Sequence, residues 1–297
     1  MKPLVIPPNL HGPHFGMPSD AYHALPGVSG SMLVKYWRTT PAHAKVALEE
    51  SWEPSAAAII GTLAHQAVLE PDAEPDGVAI RPDTYPSEDG PKKWHGAAGY
   101  CKAWLAERRA EGIPVLTREE WERTQDSILA VLSNPDLGPL LYKGRSEVSV
   151  VLHHADSGSD LRGRIDWVPD GPDLLDLKFT ADVTPRTFNR IVWERGYHIK
   201  AALYLDLWNA VAGESDPKTG FLLGAIESNR PHAVCVYRIP QDMLDLGRAA
   251  YERLAKLHAD CVRANHWPAF PPGIVSLTAP PWGAEDTFGI TELKEAA

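Results

Sequence analysis

The sequence contains few cysteines. Cys101, Cys235 and Cys261 are the only three in 297 residues, and they are widely separated. This set supplies neither a disulfide framework nor a four-cysteine zinc or iron–sulfur site. We therefore expect a reducing, cytoplasmic environment and no iron–sulfur cluster.

Long hydrophobic runs are also absent. No apolar run reaches the roughly 20 residues that a membrane-spanning helix needs. The N-terminal stretch MKPLVIPPNLHGPHFGMP is interrupted by prolines and lacks the hydrophobic centre of a signal peptide. These absences predict a protein that does not associate with a membrane.

The sequence has no excess of positive charge. Its 29 Lys and Arg against 39 Asp and Glu give a net charge of −10, which disfavours nonspecific attraction of nucleic acid to the whole surface. Basic residues nevertheless gather between positions 161 and 200: Arg162, Arg164, Lys178, Arg186, Arg190, Arg195 and Lys200. This region is therefore compatible with an anionic polymer as a ligand.

Helical patterns dominate the first half of the chain. We predict helices in GVSGSMLVKYWRTTPAHAKVALEE, SAAAIIGTLAHQAVLEP, HGAAGYCKAWLAERRAEG and TREEWERTQDSILAVLSN. Ser29 or Ser31 is placed to cap the first of these helices. Between about 71 and 96 we expect a loop with one short strand, GVAIRP.

Strand patterns follow Pro139. We predict strands in SEVSVVLHH, LRGRIDWVPD, DLLDLKFT, GFLLGAIES and AVCVYRIP, with one helix in TPRTFNRIVWERGYHIKAALYLDLWNAVAG and another in DMLDLGRAAYERLAKLHADCVRANHW. This order predicts an α/β (α+β) fold with a mixed central sheet flanked by helices. We expect one domain over 1–297, with a helical half at about 22–138, a sheet core at about 145–268 and a proline-rich extension at about 268–297.

The stretch GRIDWVPDGPDLLDLKFT predicts a hairpin that contains charged residues. Because side chains two apart in a strand share a face, its second strand groups Asp176, Lys178 and Thr180 opposite Leu175, Leu177 and Phe179. The same alternation in its first strand groups Arg164, Asp166 and Val168 opposite Ile165 and Trp167. If the PDGP turn pairs the strands, Asp166 and Asp176 converge with Lys178 beside them.

Two adjacent carboxylates indicate a bound cation. They repel each other unless positive charge lies between them, and a divalent cation meets this need best. Lys178 alone neutralises only one of the two aspartates. The alternative interpretation is an ordinary surface hairpin with an Asp–Lys pair.

An acid on one strand followed by acid–x–lysine on the next resembles the signature of the PD-(D/E)XK nuclease superfamily. Three further matches resemble the RecE-type (exodeoxyribonuclease VIII-like) exonucleases of phages and prophages: GTLAHQAVLEP with His65, SEVS with Glu147, and GYHIKAALYLDLW with Tyr197 and Tyr204. Taken singly, each match also fits a core histidine, an exposed strand glutamate or aromatic core packing. The resemblance covers most of the chain, from about 22 to 282.

The resemblance implies metal-dependent phosphodiester hydrolysis in a PD-(D/E)XK fold. It implies catalytic roles for Asp166, Asp176, Lys178 and Glu147. Asp166, Asp176 and His65 would hold Mg²⁺ with the backbone carbonyl of Leu177, while Glu147 would bind a second ion or its water. Lys178 would orient the attacking water and stabilise the transition state. The imidazole of His65 makes Mn²⁺ an alternative metal.

Several residues are candidates for contacts with DNA. Backbone contacts are expected from Arg162, Arg164, Thr180, Arg186, Tyr197, Lys200 and Tyr204. A 5′ phosphate is a candidate ligand for Ser29, Ser31, Lys35 and Arg38, although a capped helix explains the serines equally well. The sequence departs from the family at Lys200, where glutamine is common.

The family implies resection of linear double-stranded DNA from the 5′ end by a ring-shaped homo-oligomer. The 3′ strand left behind would serve a RecT-like single-strand annealing protein in phage-type homologous recombination. Three alternatives stay open: a PD-(D/E)XK nuclease of another polarity or substrate, a weak or inactive DNA-end-binding scaffold, and a helical partner-binding protein with an incidental hairpin. An iron–sulfur relative is disfavoured because the required cysteines are absent.

Overall fold

The structure is a computed structural model that describes residues 6–50, 56–71, 77–270, 272–274 and 276–277. The strands in this part of the chain are β1 (Gly12–His14), β2 (Val28–Ser29), β3 (Ala79–Ile80), β4 (Thr84–Tyr85), β5 (Lys92–Lys93), β6 (Val115–Leu116), β7 (Gly144–His154), β8 (Ser159–Pro169), β9 (Asp173–Thr180), β10 (Gly220–Glu227) and β11 (Val234–Ile239). The helices are α1 (Ser19–Ala24), α2 (Gly30–Arg38), α3 (Pro41–Glu49), α4 (Ala56–Leu69), α5 (Gly99–Ala110), α6 (Arg118–Ser133), α7 (Pro185–Glu194), α8 (Tyr197–Ala212) and α9 (Gln241–Ala264). Among the described helices, none is both long and apolar enough to cross a membrane.

A seven-stranded mixed sheet forms the centre of the fold. Its path is β1-β7-β8-β9-β10-β11, and β2 pairs with β8 off this path. Neighbours along the path are antiparallel except β9 and β10, which are parallel and joined through α7 and α8. The predicted α/β architecture, a mixed sheet flanked by helices, is confirmed.

Two apolar clusters cover the two faces of the sheet. The larger cluster packs the sheet against α2, α7, α8 and α9, and the smaller cluster packs it against α4 and α6. Side chains alternate along β9. Leu174 therefore lies in the larger cluster, whereas Leu175 and Leu177 lie in the smaller one. Each central strand is thus buried on both sides, which fixes its register.

Capping residues set the start of two helices, and the first of these caps was predicted from the sequence. Ser29 precedes α2, and its hydroxyl accepts a hydrogen bond from the backbone N–H of Met32 at 3.3 Å. Thr117 precedes α6 and forms a capping box with Glu120. These side chains satisfy backbone donors that the first turn of a helix leaves free.

A break divides the helical stretch that was predicted after β9 into two helices. Gly196 adopts a left-handed conformation, with φ of 63°, and separates α7 from α8. A Cβ atom at this position would lie 2.9 Å from a methyl group of Val34, so the turn also needs a residue without a side chain. The break allows α7 and α8 to pack on the sheet in different directions.

Short elements before residue 100 also differ from the expectation. Three short strands, β3, β4 and β5, lie where one was predicted, and β1, α1 and β2 were not predicted. Their pairing partners lie elsewhere in the chain: β1 pairs with β7, β2 with β8 and β3 with β6. Elements of two or three residues held by distant partners leave little periodic signal in their own sequence.

The edge of β8 opposite β7 changes its partner along its length. Near its start, Leu161 and Arg162 pair with β2, and near its end Trp167 pairs with Leu175 of β9. The intervening stretch, residues 163–166, has no ladder pairing in the described structure on this edge. We call this stretch the fork of the sheet.

Side-chain alternation breaks beside the fork. Ile165 and Val168 both lie in the larger apolar cluster, whereas Trp167 lies in the smaller one. The predicted grouping of Ile165 with Trp167 was therefore wrong. On the facing strand, Glu147 has a φ of 51°, which is rare for a residue with a side chain. Local backbone distortion thus coincides with the position of two acids, Asp166 and Glu147.

A buried lysine anchors the turn between β8 and β9. Lys218 is 2% exposed, and its ammonium donates hydrogen bonds to the backbone carbonyls of Pro169 at 2.8 Å and Gly171 at 2.7 Å. These bonds fix the turn because the charged donor has lost its water. They hold the two acid-bearing strands in one relative position.

A buried carboxylate anchors the N-terminal segment. Asp160 accepts hydrogen bonds from the backbone N–H of Ile6 and from the rings of His11, at 3.0 Å, and His153, at 2.8 Å. Burial opposes its ionisation, but these partners outweigh burial and hold the pKa of Asp160 below its ordinary value of 3.8. The segment then continues along β7 as β1.

We predict that Asp160→Asn lowers the free energy of unfolding by about 1–3 kcal/mol at pH 7, because the amide loses the charge-assisted bonds. The contribution of a carboxylate with a lowered pKa is complete above its unfolded pKa and is lost as pH falls through the folded pKa. The difference from wild type should therefore shrink below about pH 4. Urea unfolding at pH 7 and pH 3.5 measures both effects, with exposed Asp156→Asn as the control. If Asp160→Asn lowers the free energy of unfolding equally at both pH values, the proposed charge effect is contradicted.

Candidate metal-dependent active site

The fork brings Asp166 to the second acid-bearing strand. Here the backbone N–H of Leu177 donates to a carboxylate oxygen of Asp166 at 3.1 Å. This side-chain contact takes the place of a backbone ladder bond between β8 and β9. The predicted convergence of Asp166 and Asp176 is confirmed, since the ammonium of Lys178 lies within ion-pair distance of both carboxylates.

His65 of α4 lies between two carboxylates. Its Nε2 atom is 2.8 Å from Asp166, and its Nδ1 atom is 3.3 Å from Glu147. One ligand atom from each of these three residues lies within 4.8 Å of the others. We call His65, Glu147 and Asp166 the triad. The structure therefore brings together three of the side chains that were predicted to bind metal.

Arg164 holds Glu147 in the triad. Its guanidinium forms an ion pair with Glu147 and donates to the backbone carbonyl of Met17 at 2.7 Å and to Ser149 at 3.2 Å. All these contacts lie inside the protein, and the Arg164 side chain is only 15% exposed. The guanidinium therefore positions Glu147, which corrects the prediction that Arg164 contacts the DNA backbone.

Lys178 lies beside Asp176 on the second strand. Its ammonium forms an ion pair with Asp176, lies 3.8 Å from Asp166, and donates to the backbone carbonyl of Leu177 at 3.1 Å. The ring of Tyr197 approaches the same ammonium, with 5.2 Å between the nitrogen and the ring centroid. Lys178 thus contacts both acids and the carbonyl that was predicted to bind metal.

The two aspartates ionise differently. Burial and then repulsion by Asp166 raise the pKa of Asp176 to about 7. Burial also opposes ionisation of Asp166, but attraction to His65 and Lys178 outweighs it and lowers the pKa of Asp166. A cation placed between the two carboxylates would offset the repulsion that raises the pKa of Asp176.

Neighbouring acids also change the pKa values of Lys178 and His65. Burial opposes protonation of Lys178, but attraction to Asp176 and Asp166 outweighs it and raises the pKa of the lysine. Burial also opposes protonation of His65, but attraction to Asp166 and Glu147 outweighs burial and raises the pKa of the ring. Lys178 is therefore a permanent cation near pH 7, and the His65 ring must lose a proton to bind metal.

The donor set fits a divalent metal. Carboxylate oxygens suit Mg²⁺ and Mn²⁺, and the single imidazole of the triad favours Mn²⁺ more than an all-oxygen site would. His65 lies between two carboxylates, at a position where positive charge is favourable. Asp176 lies beside this set, because the Lys178 ammonium contacts both Asp176 and Asp166. The carbonyl of Leu177 faces Lys178 in this arrangement.

Three residues that were predicted to contact DNA make contacts within the protein instead. Arg162 is 5% exposed and donates to the backbone carbonyl of Tyr22 at 2.9 Å. Tyr204 is 7% exposed and packs on β8, where a Cβ atom at Gly163 would lie 2.8 Å from its ring. These placements, with that of Arg164, correct the expectation that the residues face a nucleic acid.

The predicted site for a 5′ phosphate does not form as a group. Ser29 and Arg38 lie at opposite ends of α2, which spans about 12 Å at 1.5 Å per residue. Ser29 is buried and caps the helix, while Lys35 donates to the backbone carbonyl of Ala47. Ser31 is exposed at the start of α2. One phosphate therefore cannot contact all four residues.

Other candidates lie at the mouth of the site. Thr180 is half-buried at the end of β9, and Arg186 is exposed in the first turn of α7. Tyr197 is half-buried beneath Lys178. These three positions stay predictions for DNA contact.

Lys200 lies on α8 near the same acids. Its side chain passes the first residue of α2, where a Cβ atom at Gly30 would lie 3.2 Å from the Lys200 Cγ atom. Burial and then repulsion by Lys178 lower the pKa of Lys200. Within the described residues we find no hydrogen bond or ion pair made by its ammonium. A half-buried cation without such a partner favours an anionic ligand at this position.

The comparisons with known proteins agree with this geometry. Residues 29–273 match the family described as a PDDEXK-like domain of unknown function (DUF3799), and the chain belongs to that family. No curated protein matches the sequence significantly.

Two solved structures align with the chain, and one of them resembles its fold. A protein of Eubacterium rectale described as a "putative exonuclease" aligns with a TM-score of 0.55 and 12% identity, over 93% of this chain and 100% of its own. A second structure, of SSO0001, aligns with a TM-score of 0.29 and 14% identity, over 67% of this chain and 86% of its own, and we draw no conclusion from it. At this identity the first match shows the fold alone.

We predict that Asp166→Asn weakens Mn²⁺ binding by at least about tenfold, because Asp166 touches His65 and both strands of the hairpin. Asp156→Asn should bind Mn²⁺ like wild type, since Asp156 lies exposed in the β7–β8 turn. Calorimetric titration with MnCl₂ and MgCl₂ at pH 8 measures both variants. Equal affinity in wild type and Asp166→Asn would show that the metal binds elsewhere.

Proposed function

We propose that the protein is a metal-dependent exodeoxyribonuclease that acts on linear double-stranded DNA. The observation that carries this proposal is the convergence of Asp166, Asp176 and Lys178 with His65 and Glu147 at the fork. Membership of a PDDEXK-like family supports it independently of the geometry. The alternative of an ordinary surface hairpin is disfavoured because Asp176 is buried and Asp166 contacts a histidine from a distant helix.

The triad and Asp176 would hold the metal. A bound Mg²⁺ or Mn²⁺ supplies charge neutralisation at the phosphate and lowers the pKa of a coordinated water. The carboxylate of Asp166 would bind the metal and also hold the hairpin together, because it accepts a hydrogen bond from the backbone N–H of Leu177. Glu147 is held by Arg164 at the far side of His65. The acids are thus fixed before a ligand arrives, which reduces the reorganisation needed for reaction.

Lys178 would act as a cation and hydrogen-bond donor. Its raised pKa keeps the ammonium protonated near pH 7, so it cannot serve as the general base. It is instead placed to orient the attacking water and to stabilise negative charge as it develops on the phosphate. The ring of Tyr197 limits the movement of this ammonium.

Surface charge supports a local DNA-binding face. Exposed Arg186, Arg190 and Arg195 lie on or directly after α7, which connects the end of β9 with Tyr197. A chain with a net charge of −10 can bind DNA through such a restricted basic area. Contacts of this kind grip phosphates without reading bases.

The finer parts of the proposal rest on the resemblance to RecE-type exonucleases. They are a phage or prophage origin, 5′→3′ polarity, a ring-shaped homo-oligomer and a RecT-like annealing protein as partner. A ring would place the basic face inside and leave the acidic exterior in solvent. Lys200 and the exposed start of α2 at Ser31 are the candidates for the terminal phosphate.

A weak or inactive DNA-end-binding scaffold is the second candidate function. Lys200 favours it, because a cation replaces the glutamine common in the resembling family and lies near Lys178. The complete set of Asp166, Asp176 and Lys178 favours an enzyme. Turnover separates the two functions.

We predict that wild type releases nucleotides from end-labelled linear duplex DNA with Mg²⁺ or Mn²⁺, and that EDTA abolishes release. Lys178→Ala should lower the rate by at least about 100-fold, because the mutation removes the donor at the developing charge. It should bind DNA ends with an affinity close to that of wild type. Labels at the 5′ and 3′ ends report polarity in the same assay.

Lys256→Ala is the matched control, since Lys256 is exposed on α9. It should retain the wild-type rate. DNA-end binding by wild type without release of nucleotides under either metal would replace the exonuclease with the scaffold. Release by Lys178→Ala at the wild-type rate would remove the proposed role of the lysine.

We predict that Lys200→Gln keeps metal-dependent cleavage but loses about one phosphate contact. The slope of log K against log salt for DNA-end binding should then fall in magnitude by about 0.9. Binding is best measured in the Lys178→Ala background, which should prevent cleavage, with Lys256→Gln as the control. Identical slopes for Lys200→Gln and the control would show that Lys200 does not contact phosphate.

A further inference from the structure

A surface cavity lies next to the elements that carry the triad. It has a volume of about 610 Å³, and its wall includes Phe15, Tyr142, Arg145 and Trp167. Two of these aromatic side chains are unusually open to solvent, with Tyr142 84% exposed and Phe15 56% exposed. Exposed aromatic faces at the rim of a cavity indicate a ligand with a flat apolar surface.

Every element that carries a triad residue also supplies a wall of this cavity. Val68 lies one turn beyond His65 on α4, Ser146 precedes Glu147 on β7, and Trp167 follows Asp166 on β8. A helical turn rises about 5.4 Å, and successive strand residues are about 3.3 Å apart. The cavity wall and the triad therefore lie on the same three elements, within about one helical turn or one strand residue of each other along the backbone.

The floor of the cavity is held in place. The indole of Trp167 donates to the backbone carbonyl of Leu140 at 2.9 Å. A Cβ atom at Gly144 would lie 2.6 Å from this indole, so the backbone of β7 packs directly on the ring. The same strand places Arg145 over the ring of Phe15, with 5.0 Å between the guanidinium carbon and the ring centroid. A fixed floor binds a flat ligand with little loss of conformational entropy.

The lining matches a nucleobase. Aromatic faces stack with any base, and an arginine guanidinium both stacks with bases and attracts the adjacent phosphates. The site would thus accept all four bases, as an enzyme that removes successive nucleotides requires.

We propose that this cavity binds the base of the terminal nucleotide while the scissile phosphate, on the 3′ side of that nucleotide, lies at the triad. The inference rests on the proposed nuclease function and names the nucleotide that this site holds. The terminal base leaves its pair and stacks between Tyr142 and Phe15 above Trp167. Separation of that base from its partner strand turns the strand end toward the triad.

Three DNA duplexes with a 5′ phosphate test the proposal. They carry at the 5′ terminus a paired base, a mismatched base or an abasic residue, and are otherwise identical. Their affinities are measured by fluorescence anisotropy with MnCl₂, in Lys178→Ala protein so that no cleavage occurs. The mismatch provides an unpaired base, so its comparison with the abasic end isolates the contribution of the base itself.

We expect the abasic end to bind about 5- to 150-fold more weakly than the mismatched end, the range for loss of one stacked base. Added Tyr142→Ala should reduce this ratio toward one by weakening only the ends that carry a base. Phe15→Leu should act in the same direction. Added Tyr100→Ala is the matched control, because Tyr100 is exposed on α5 and should leave the ratio unchanged.

Equal binding of abasic and mismatched ends to Lys178→Ala would overturn the proposal, as would a ratio that Tyr142→Ala and Phe15→Leu leave intact. A changed oligomeric state of Tyr142→Ala by light scattering, with the ratio intact, would assign the cavity to contact between copies of the chain. Failure of wild type to bind or cleave any DNA would instead reject the proposed function and this inference together. Cleavage by wild type without a base-dependent ratio would reject this inference alone.

Discussion

Repulsion between buried carboxylates is the constraint on which the site depends. Asp166, Asp176 and Glu147 lie close together with little access to water, and each would cost stability if left unpaired. Three basic side chains lie against these acids and reduce their repulsion. His65 lies between Asp166 and Glu147, Lys178 contacts Asp176, and Arg164 contacts Glu147. Even so, the pKa of Asp176 is raised to about 7, so the balance of charge is incomplete. The incomplete balance favours the entry of a divalent cation.

The fork of the sheet explains why these charges can meet inside a core. In a continuous ladder, residues 163–166 of β8 would hydrogen-bond to a neighbouring backbone on this edge, and their one acid, Asp166, would point into one of the two apolar clusters. The change of partner from β2 to β9 frees this edge, and the carboxylate of Asp166 uses the N–H of Leu177 that the ladder would otherwise use. The left-handed backbone at Glu147 belongs to the same distortion. Backbone strain of this kind persists where the surrounding structure compensates for it.

The strands, the main helices and the acid-bearing hairpin were predictable because they bury periodic faces. Asp166, Asp176 and Lys178 meet as alternation along β9 and the PDGP turn required. Arg164 is instructive because its charge alone indicated DNA, whereas its register opposite Ser149 places it against Glu147. Arg162 and Tyr204 were assigned by composition and by position in a motif, and neither criterion measures burial. The aromatic cavity was not predictable, since Phe15, Tyr142 and Trp167 are distant in sequence and only Trp167 lies in a predicted strand.

The N-terminal segment connects these features, which argues that it belongs to the site as well as to the fold. Asp160 anchors its start through Ile6 and His11, and the segment then pairs with β7. It next supplies Phe15 to the cavity and the carbonyl of Met17 to Arg164, which positions Glu147. One short segment therefore sets both a wall beside the triad and the orientation of a triad acid. Loosening it should disturb metal binding and base binding together, although it contributes no acid to the metal site.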